Sequence, residues 1–338
     1  LGPMGVAGEV GATAEEAGHP LLAAEVALAG TDGGTVFTGR LSTADHPWLA
    51  GHAVAGSVLF PGTGFLELAL HAGARTGAPV VEELTIAAPL VLTGVVAVQV
   101  AVAAPDVDGR RAVAVHSRTG DGPWHRHAAG TLAPASTPDV PAGAVTRPPA
   151  GAEPLPVEGL YELLADSGFD YGPEFRGLHA AWRDGDDVVA EVVLPERART
   201  AAARYLLHPA LTDAALHTLA FGGLEGLDGG LMPFSWGGVR PGRTGVDRVR
   251  VRVTTTGRDT VAVRLTDTDG APVLDVAELV LRPVAADLPA PEPVTALHRL
   301  DWVPADPVAA PAPPAGRWAL VGPDLPAGTS AVDAALPA

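Results

Sequence analysis

Two stretches of this chain carry residues whose types and spacing suit acid–base chemistry. In "HPWLAGHAVAGSVLFPGTGFLELALHAG", residues 46–73, His46 and His52 interrupt a Gly/Ala/Val-rich approach to an almost wholly apolar segment. In "HPALTDAALHTLA", residues 208–220, Asp213 and His217 lie four residues apart among Ala and Leu. An imidazole with its ordinary pKa of about 6.5 is substantially neutral at working pH and accepts a proton. A carboxyl donates one only where burial keeps it protonated. Spacing alone leaves other readings open: Asp213 as a solvent-facing residue of an amphipathic helix, His52 as a histidine satisfied by backbone.

Other chemistries find less support. His46 and His52 share no helical face and lack the His-x3-His spacing of zinc-binding helices, so no metal is assigned. "PGTGFLE" misses the third glycine of a dinucleotide loop and sits in no βαβ unit. No G-x-S-x-G nucleophile elbow occurs. The absence of cysteine removes disulfides, thiolate metal sites and a Cys nucleophile, and is compatible with a reducing, cytoplasmic compartment. A net charge of −17 argues against nucleic acid and against an anionic membrane surface as partners. No signal peptide is visible, and "LGPM" at the start reads as an expression scar.

The elements that would position these groups follow from patterning. The 338 residues, 47% of them hydrophobic, suffice for two ordinary domains. Residues 1–17 read as a loose leader. Two short strands around "GTDGG" come next, then a helix from about Thr63 to Ala74. It is apolar nearly all round, with Glu67 and His71 as one polar stripe. "PLVLTGVVAVQVAVAAP", residues 89–105, mimics a membrane span. Its Val96, Val98, Val100 and Val102 alternate with smaller or polar residues, as in a half-buried strand. Further strands are expected at "RRAVAVHSR" and "WHRHAAGTL", where His125 and His127 are taken as structural or surface residues.

A Pro/Ala-rich linker spans 136–154. Beyond it the order of elements repeats. A helix ends near Gly168 and a strand covers "DDVVAEVVLP". A second helix has Pro209 near its start, and a strand meander carries Val249, Val251 and Val253 on one face. This implies an α+β fold with a weak internal duplication, one half at 18–135 and the other at 155–286, each a sheet wrapped around one helix. Residues 287–338 read as a linker with strands at "LHRLDWVP" and "GRWALVGPD".

Four motifs then resemble one family. "HAVAGSVLFP" (His52 through Gly56 to Pro61) matches the H-x3-G-x4-P pattern of dehydratase domains in modular type I polyketide synthases. "DYGPEF" resembles their Y-G-P motif, "HPALTDAALH" their H-P-A-L-x-D-x3-Q/H motif, and "LMPFSW" their L-P-F-x-W motif. They occur in the family's order, and the resemblance covers about residues 18–285. It implies a double hotdog fold, two tandem halves that each curve an antiparallel sheet around a helix, with the active site between them. The tail resembles the entry to a following ketoreductase-type region.

The resemblance also implies the reaction: removal of water from a 3-hydroxyacyl chain, carried as a phosphopantetheine thioester on an acyl carrier protein, to give a 2-enoyl thioester. His52 would take the C2 proton. Asp213, protonated through burial away from Lys and Arg, would give one to the departing hydroxyl. The Gly62 amide at the helix start would stabilise charge on the thioester oxygen, although a helix-start turn glycine needs no such role. Tyr171 would bond the substrate hydroxyl or Asp213, and His217, where glutamine is commoner, would orient Asp213. Phe234 and Trp236 would form cleft wall, and Pro61 and Gly56 would shape the loop beside the substrate.

No soluble cofactor is expected, since the pantetheine belongs to the partner. Expected partners are the carrier protein, other domains of the same synthase and a second copy of the chain. Carrier docking would use a local basic patch among Arg240, Arg243, Arg248 and Arg250, for which an ordinary solvated strand face is the competing reading. Competing functions on this scaffold are a double-bond isomerase, an oxa-Michael cyclase, a non-catalytic dimerising domain and a hotdog thioesterase. Intact His52 and Asp213 favour dehydration.

Overall fold

Alternation of valines with small or polar residues builds most of this molecule. The computed structural model describes residues 14–135, 151–222 and 230–283. In chain order, β1 (Ala14–His19), β2 (Leu22–Ala27) and β3 (Thr35–Leu41) are followed by a 3-10 turn (Pro47–Gly51). The short strands β4 (His52–Val54) and β5 (Ser57–Val58) then lead to α1 (Gly62–Arg75). Next come β6 (Val80–Ile86), β7 (Val96–Val102), β8 (Arg111–Thr119) and β9 (His125–Ala133). The second half opens with β10 (Glu153–Leu155), α2 (Leu160–Asp166), β11 (Phe169–Tyr171), β12 (Leu178–Asp184) and β13 (Asp187–Val193). It continues with α3 (Glu196–Ala202), α4 (Pro209–Leu216), a 3-10 turn (His217–Phe221) and β14 (Leu231–Pro241). The strands β15 (Arg248–Thr255), β16 (Thr260–Thr266) and β17 (Pro272–Pro283) close it.

The long strands form one 14-stranded sheet, in the order β1-β2-β3-β7-β8-β9-β6-β14-β17-β16-β15-β13-β12-β10, antiparallel at every pairing. The first half ends at β6 and the second begins at β14, so the ladder runs unbroken from one half into the other, with Trp236 opposite Leu84. Each half curls around its own helix. α1 packs on β6, β7, β8 and β9, and α4 packs on β13; the two helices also touch each other. The helices are buried on nearly every side, as segments without a polar face must be. β7 alternates buried and half-buried positions along its whole length and pairs on both sides, with β3 and β8, so the 89–105 segment is an interior strand with its flanking loops. Val249, Val251 and Val253 are all buried.

Some expectations need correction. Ala14–Ala17 are sheet rather than loose leader: β1 pairs with β2 and buries Ala17. Glu153 and Pro154, placed in the linker, belong to β10, which pairs with β12. The strand β12 and the helix α3 had no counterpart in the sequence reading. The tail strands at "LHRLDWVP" and "GRWALVGPD", and residues 136–150 of the linker, lie outside the described residues. Among those described, no helix is long and apolar enough to cross a membrane.

A second, three-stranded sheet, β11-β4-β5, positions the site. Two of its strands come from the first half and one from the second. Its register sets Tyr171 opposite His52 and Phe169 opposite Val54. The approach is tight at Gly51 and Gly172, where the Gly172 N–H donates to Gly51 O at 2.7 Å. A Cβ on Gly172 would lie 2.7 Å from Gly51 Cα, which accounts for glycine after the tyrosine of "DYGPEF".

Candidate active site

His52 enters the site from the start of β4, just past the 3-10 turn. Its Nδ1 lies 3.0 Å from Leu59 O, and the Leu59 N–H donates back to His52 O at 3.0 Å. A carbonyl can only accept, so Nδ1 carries the hydrogen and Nε2 keeps its lone pair. That nitrogen points across the halves to Asp213 Oδ2, 3.9 Å away. Burial lowers the His52 pKa below its ordinary value against the opposing pull of Asp213, so the ring is neutral at neutral pH. The rings of Phe175 and Tyr171 pack around it, with centroids at 5.3 and 5.7 Å.

Asp213 sits on α4 in an environment of Ala and Leu. The helix begins at Pro209, whose fixed φ suits the first turn, and His208 caps it by accepting the Ala210 N–H on Nδ1 at 3.2 Å. Burial pushes the His208 pKa down to about 4, which keeps that nitrogen free to accept. The Asp213 carboxyl is 5% exposed, and its ion-pair neighbours among the described residues are two imidazoles, His52 and His217. Oδ1 receives the Thr63 hydroxyl at 3.5 Å. Oδ2 is buried without a hydrogen-bond partner in the protein, facing His217 Nε2 at 3.4 Å. Leaving such an atom unpaired costs about 1–3 kcal/mol.

These groups form the polar end of a cavity of about 330 Å³ that runs between the halves. Leu59, Phe65 and Ile86 line it from the first half, Leu216, Leu231 and Met232 from the second. Gly62 also borders it. The first intrahelical donors of α1 are Gly64 and Phe65, both directed at Pro61 O, and Pro61 supplies no side-chain cap. The Gly62 amide is therefore one of the free donors of a helix start. Tyr171 lines the cavity with its ring on His217, centroids 4.2 Å apart. Desolvation, reinforced by Asp213, holds its phenol well above the usual range, so it remains an O–H donor. His217 Nδ1 lies 3.4 Å from the Tyr161 hydroxyl, so His217 bridges Tyr161 and Asp213.

The remaining expected residues lie elsewhere. Trp236 is fully buried in the core beneath the seam strand β14, not in the cleft wall. Phe234 falls where the β14–β17 register skips a residue, between Pro233 and Ser235, and its ring lies under the Arg282 guanidinium at 3.3 Å. Neither aromatic lines the cavity. Pro61 is the N-cap of α1 and does not line the cavity. Gly56 forms the β4–β5 turn with Ala55, both at positive φ. In the basic patch, Arg243 pairs with Asp267 and Arg250 with Glu191, which favours the solvated-face reading for these two.

His127 is buried and structural, bonded to Ser117 and to the carbonyls of Ala88 and Pro89. Among the described residues no cluster of three or more His, Asp or Glu side chains is placed to hold a metal. Sequence reasoning missed Thr63 and Tyr161. Thr63 was within reach, since it precedes Glu67 by the same four-residue step that joins Glu67 to His71. Tyr161 carried no comparable signal.

Comparison with known proteins agrees with this geometry. Residues 19–118 match the family model "Polyketide synthase dehydratase domain" and residues 140–291 the model "Polyketide synthase dehydratase N-terminal domain". The chain is 52% identical over 279 residues to polyketide synthase GfsA of Streptomyces halstedii, covering 80% of this chain but 4% of that protein. A dehydratase solved in work on substrate selection for the borrelidin and fluvirucin polyketide synthases is 50% identical. It superimposes with a TM-score of 0.76 over 81% of this chain and 97% of its own. The dehydratase domain from the terminal module of the rifamycin polyketide synthase is 44% identical, with a TM-score of 0.75 over 80% of this chain and 98% of its own.

The chain belongs to the dehydratase domains of polyketide synthases. Its fold is the double hotdog of that family, and the family's general reaction is dehydration of a 3-hydroxyacyl thioester, a hydro-lyase reaction. In its curated relatives this region is one small part of a much longer synthase.

Proposed function

We propose that this chain removes water from a 3-hydroxyacyl thioester with His52 as base and Asp213 as acid. The observation that carries the reading is the fixed tautomer of His52: Nδ1 is spent on Leu59 O, and the basic Nε2 faces Asp213 Oδ2 at 3.9 Å. With C2 beside Nε2 and the C3 hydroxyl at Oδ2, His52 takes the C2 proton. As the C2–H electron pair becomes the C2=C3 double bond, the C3–O bond breaks and its pair leaves with the oxygen, which takes the Asp213 proton and departs as water. The Gly62 amide receives the negative charge that gathers on the thioester oxygen, helped by the positive end of α1. Tyr171 holds the hydroxyl in line, and His217 holds Asp213.

Both proton carriers belong to the chain, so the reading needs no cofactor; the pantetheine arrives with an acyl carrier protein. A homodimeric synthase in the cytoplasm is the setting that fits this substrate. The test is to incubate the chain with 3-hydroxyacyl pantetheine thioesters of several lengths and weigh the acyl group. Loss of water by wild type and not by His52→Ala supports the reading; no loss from any length defeats it.

A further inference from the structure

Glu67 is a buried carboxyl that the elimination does not use. It stands on α1 in the first half, 2% exposed, yet its partners lie mostly in the second. Oε1 accepts the Leu206 N–H at 2.8 Å and Oε2 the Leu207 N–H at 3.0 Å. The His19 ring completes the set at 3.2 Å from Oε1. Leu21 N–H donates to His19 Nδ1, so Nε2 is the ring nitrogen that gives its hydrogen to Glu67. One turn earlier on the same face, the Thr63 hydroxyl reaches Pro209 O at 3.1 Å and Asp213 Oδ1 at 3.5 Å.

Thr63 and Glu67 thus grip consecutive points of one segment: Leu206 and Leu207 ahead of α4, then Pro209 and Asp213 within it. Few contacts could fix the height of α4 on α1 so closely. A buried charged group held by only backbone donors and a histidine is costly where a Leu would pack. Its return is geometric, because these bonds set where the α4 carboxyl meets the first half.

Resting on the dehydratase reading above, we infer that Glu67 and Thr63 are positioning residues that strap α4 to α1 and hold Asp213 at the distance from His52 that proton delivery needs. Neither touches the reacting carbons. Their work concerns the leaving group alone, since His52 is held separately by Leu59 and β11.

That separation supplies the test. A 3-chloroacyl pantetheine thioester loses its C2 proton to His52 and expels chloride with the C3–Cl electron pair, so it needs no proton from Asp213. Glu67→Gln keeps the volume but turns one acceptor into a donor facing a backbone N–H. It is expected to slow dehydration about 100-fold, the scale of an ångström-sized misplacement, while chloride elimination stays within about threefold of wild type. Thr63→Val, which removes the bonds to Pro209 O and Asp213 Oδ1 but leaves Glu67 and its partners in place, is expected to show the same selectivity and serves if Glu67→Gln does not fold.

Equal slowing of both reactions in these variants, or unchanged dehydration, overturns the proposal. Asp213→Asn is the reference. If it slows both reactions alike, the acid assignment falls and the strap falls with it. Selective loss in Asp213→Asn but not in the strap variants sinks the strap alone.

Discussion

His52 and Tyr171 are register partners, opposite each other across the β4–β11 pair, although they come from different halves of the chain. The hydrogen-bonded ladder, not side-chain packing, decides that the imidazole and the phenol share one end of the cavity. Val54 and Phe169 pair two residues further along, beyond Ala53 and Asp170, and close the apolar side.

This pairing makes Gly172 a sensitive position. Gly172→Ala places a methyl against the Gly51 backbone, so β11 must move off β4. The expected cost is about 1–3 kcal/mol in chemical denaturation. A larger proportional fall in dehydration rate is also expected, because Tyr171 and His52 part company. Full activity with unchanged stability would contradict the register argument.

The lowered pKa of His52 fixes the sign of the pH profile. Its neutral form is the base, so protonation removes activity. Because burial holds the folded value below about 6.5, the acid limb of kcat/KM is expected below that pH rather than at it. Steady-state rates from pH 5 to 8 locate the limb, and a midpoint above 6.5 would exclude His52 as the group reported.

Asp213→Asn keeps the shape of the proposed acid and removes its carboxyl. Dehydration is expected to fall about 100- to 10,000-fold, the usual range for a general acid, with little change in folding temperature. Calorimetry beside the mass assay separates the two. Activity within tenfold of wild type would move the acid elsewhere.

Two histidines outside the reaction predict how stability responds to acid. Burial depresses His71 and His208 to about 4, while the unfolded chain titrates near 6.5. Between those values the unfolded state binds protons that the folded state refuses. Stability is therefore complete above about 6.5 and drains as pH falls towards 4, by at most about 2 kcal/mol per histidine near pH 5. Urea unfolding of wild type and His208→Asn at pH 7 and 5 measures it; His208→Asn, whose side chain still caps α4, should lose less.

Much of this was readable from residue order, and the failures have physical causes. The valines of β7 and β15 declare their alternation, and the nearly all-apolar sequence of α1 marked it as buried. The spacing of Asp213 and His217 survived into the structure as a contact on one face of α4. β1 and β10 escaped because edge strands borrow their order from a neighbour: "AEEAGH" and "EPL" have little β preference of their own, and Pro154 is tolerated only at an edge. Trp236 was misassigned because its wall role followed from the resemblance of "LMPFSW" to a motif, and nothing local in that stretch tells which face of β14 the tryptophan takes. The grip of Glu67 on Leu206 and Leu207 joins residues remote in sequence, so only folding reveals it.

The unbroken ladder between β6 and β14 bears on how a tethered acyl chain gets in. Swinging the halves apart would tear the bonds that pair Thr85 with Ser235, Leu84 with Trp236 and Val81 with Val239. The enclosure is therefore a sleeve with a stiff spine rather than a jaw that closes on what it holds.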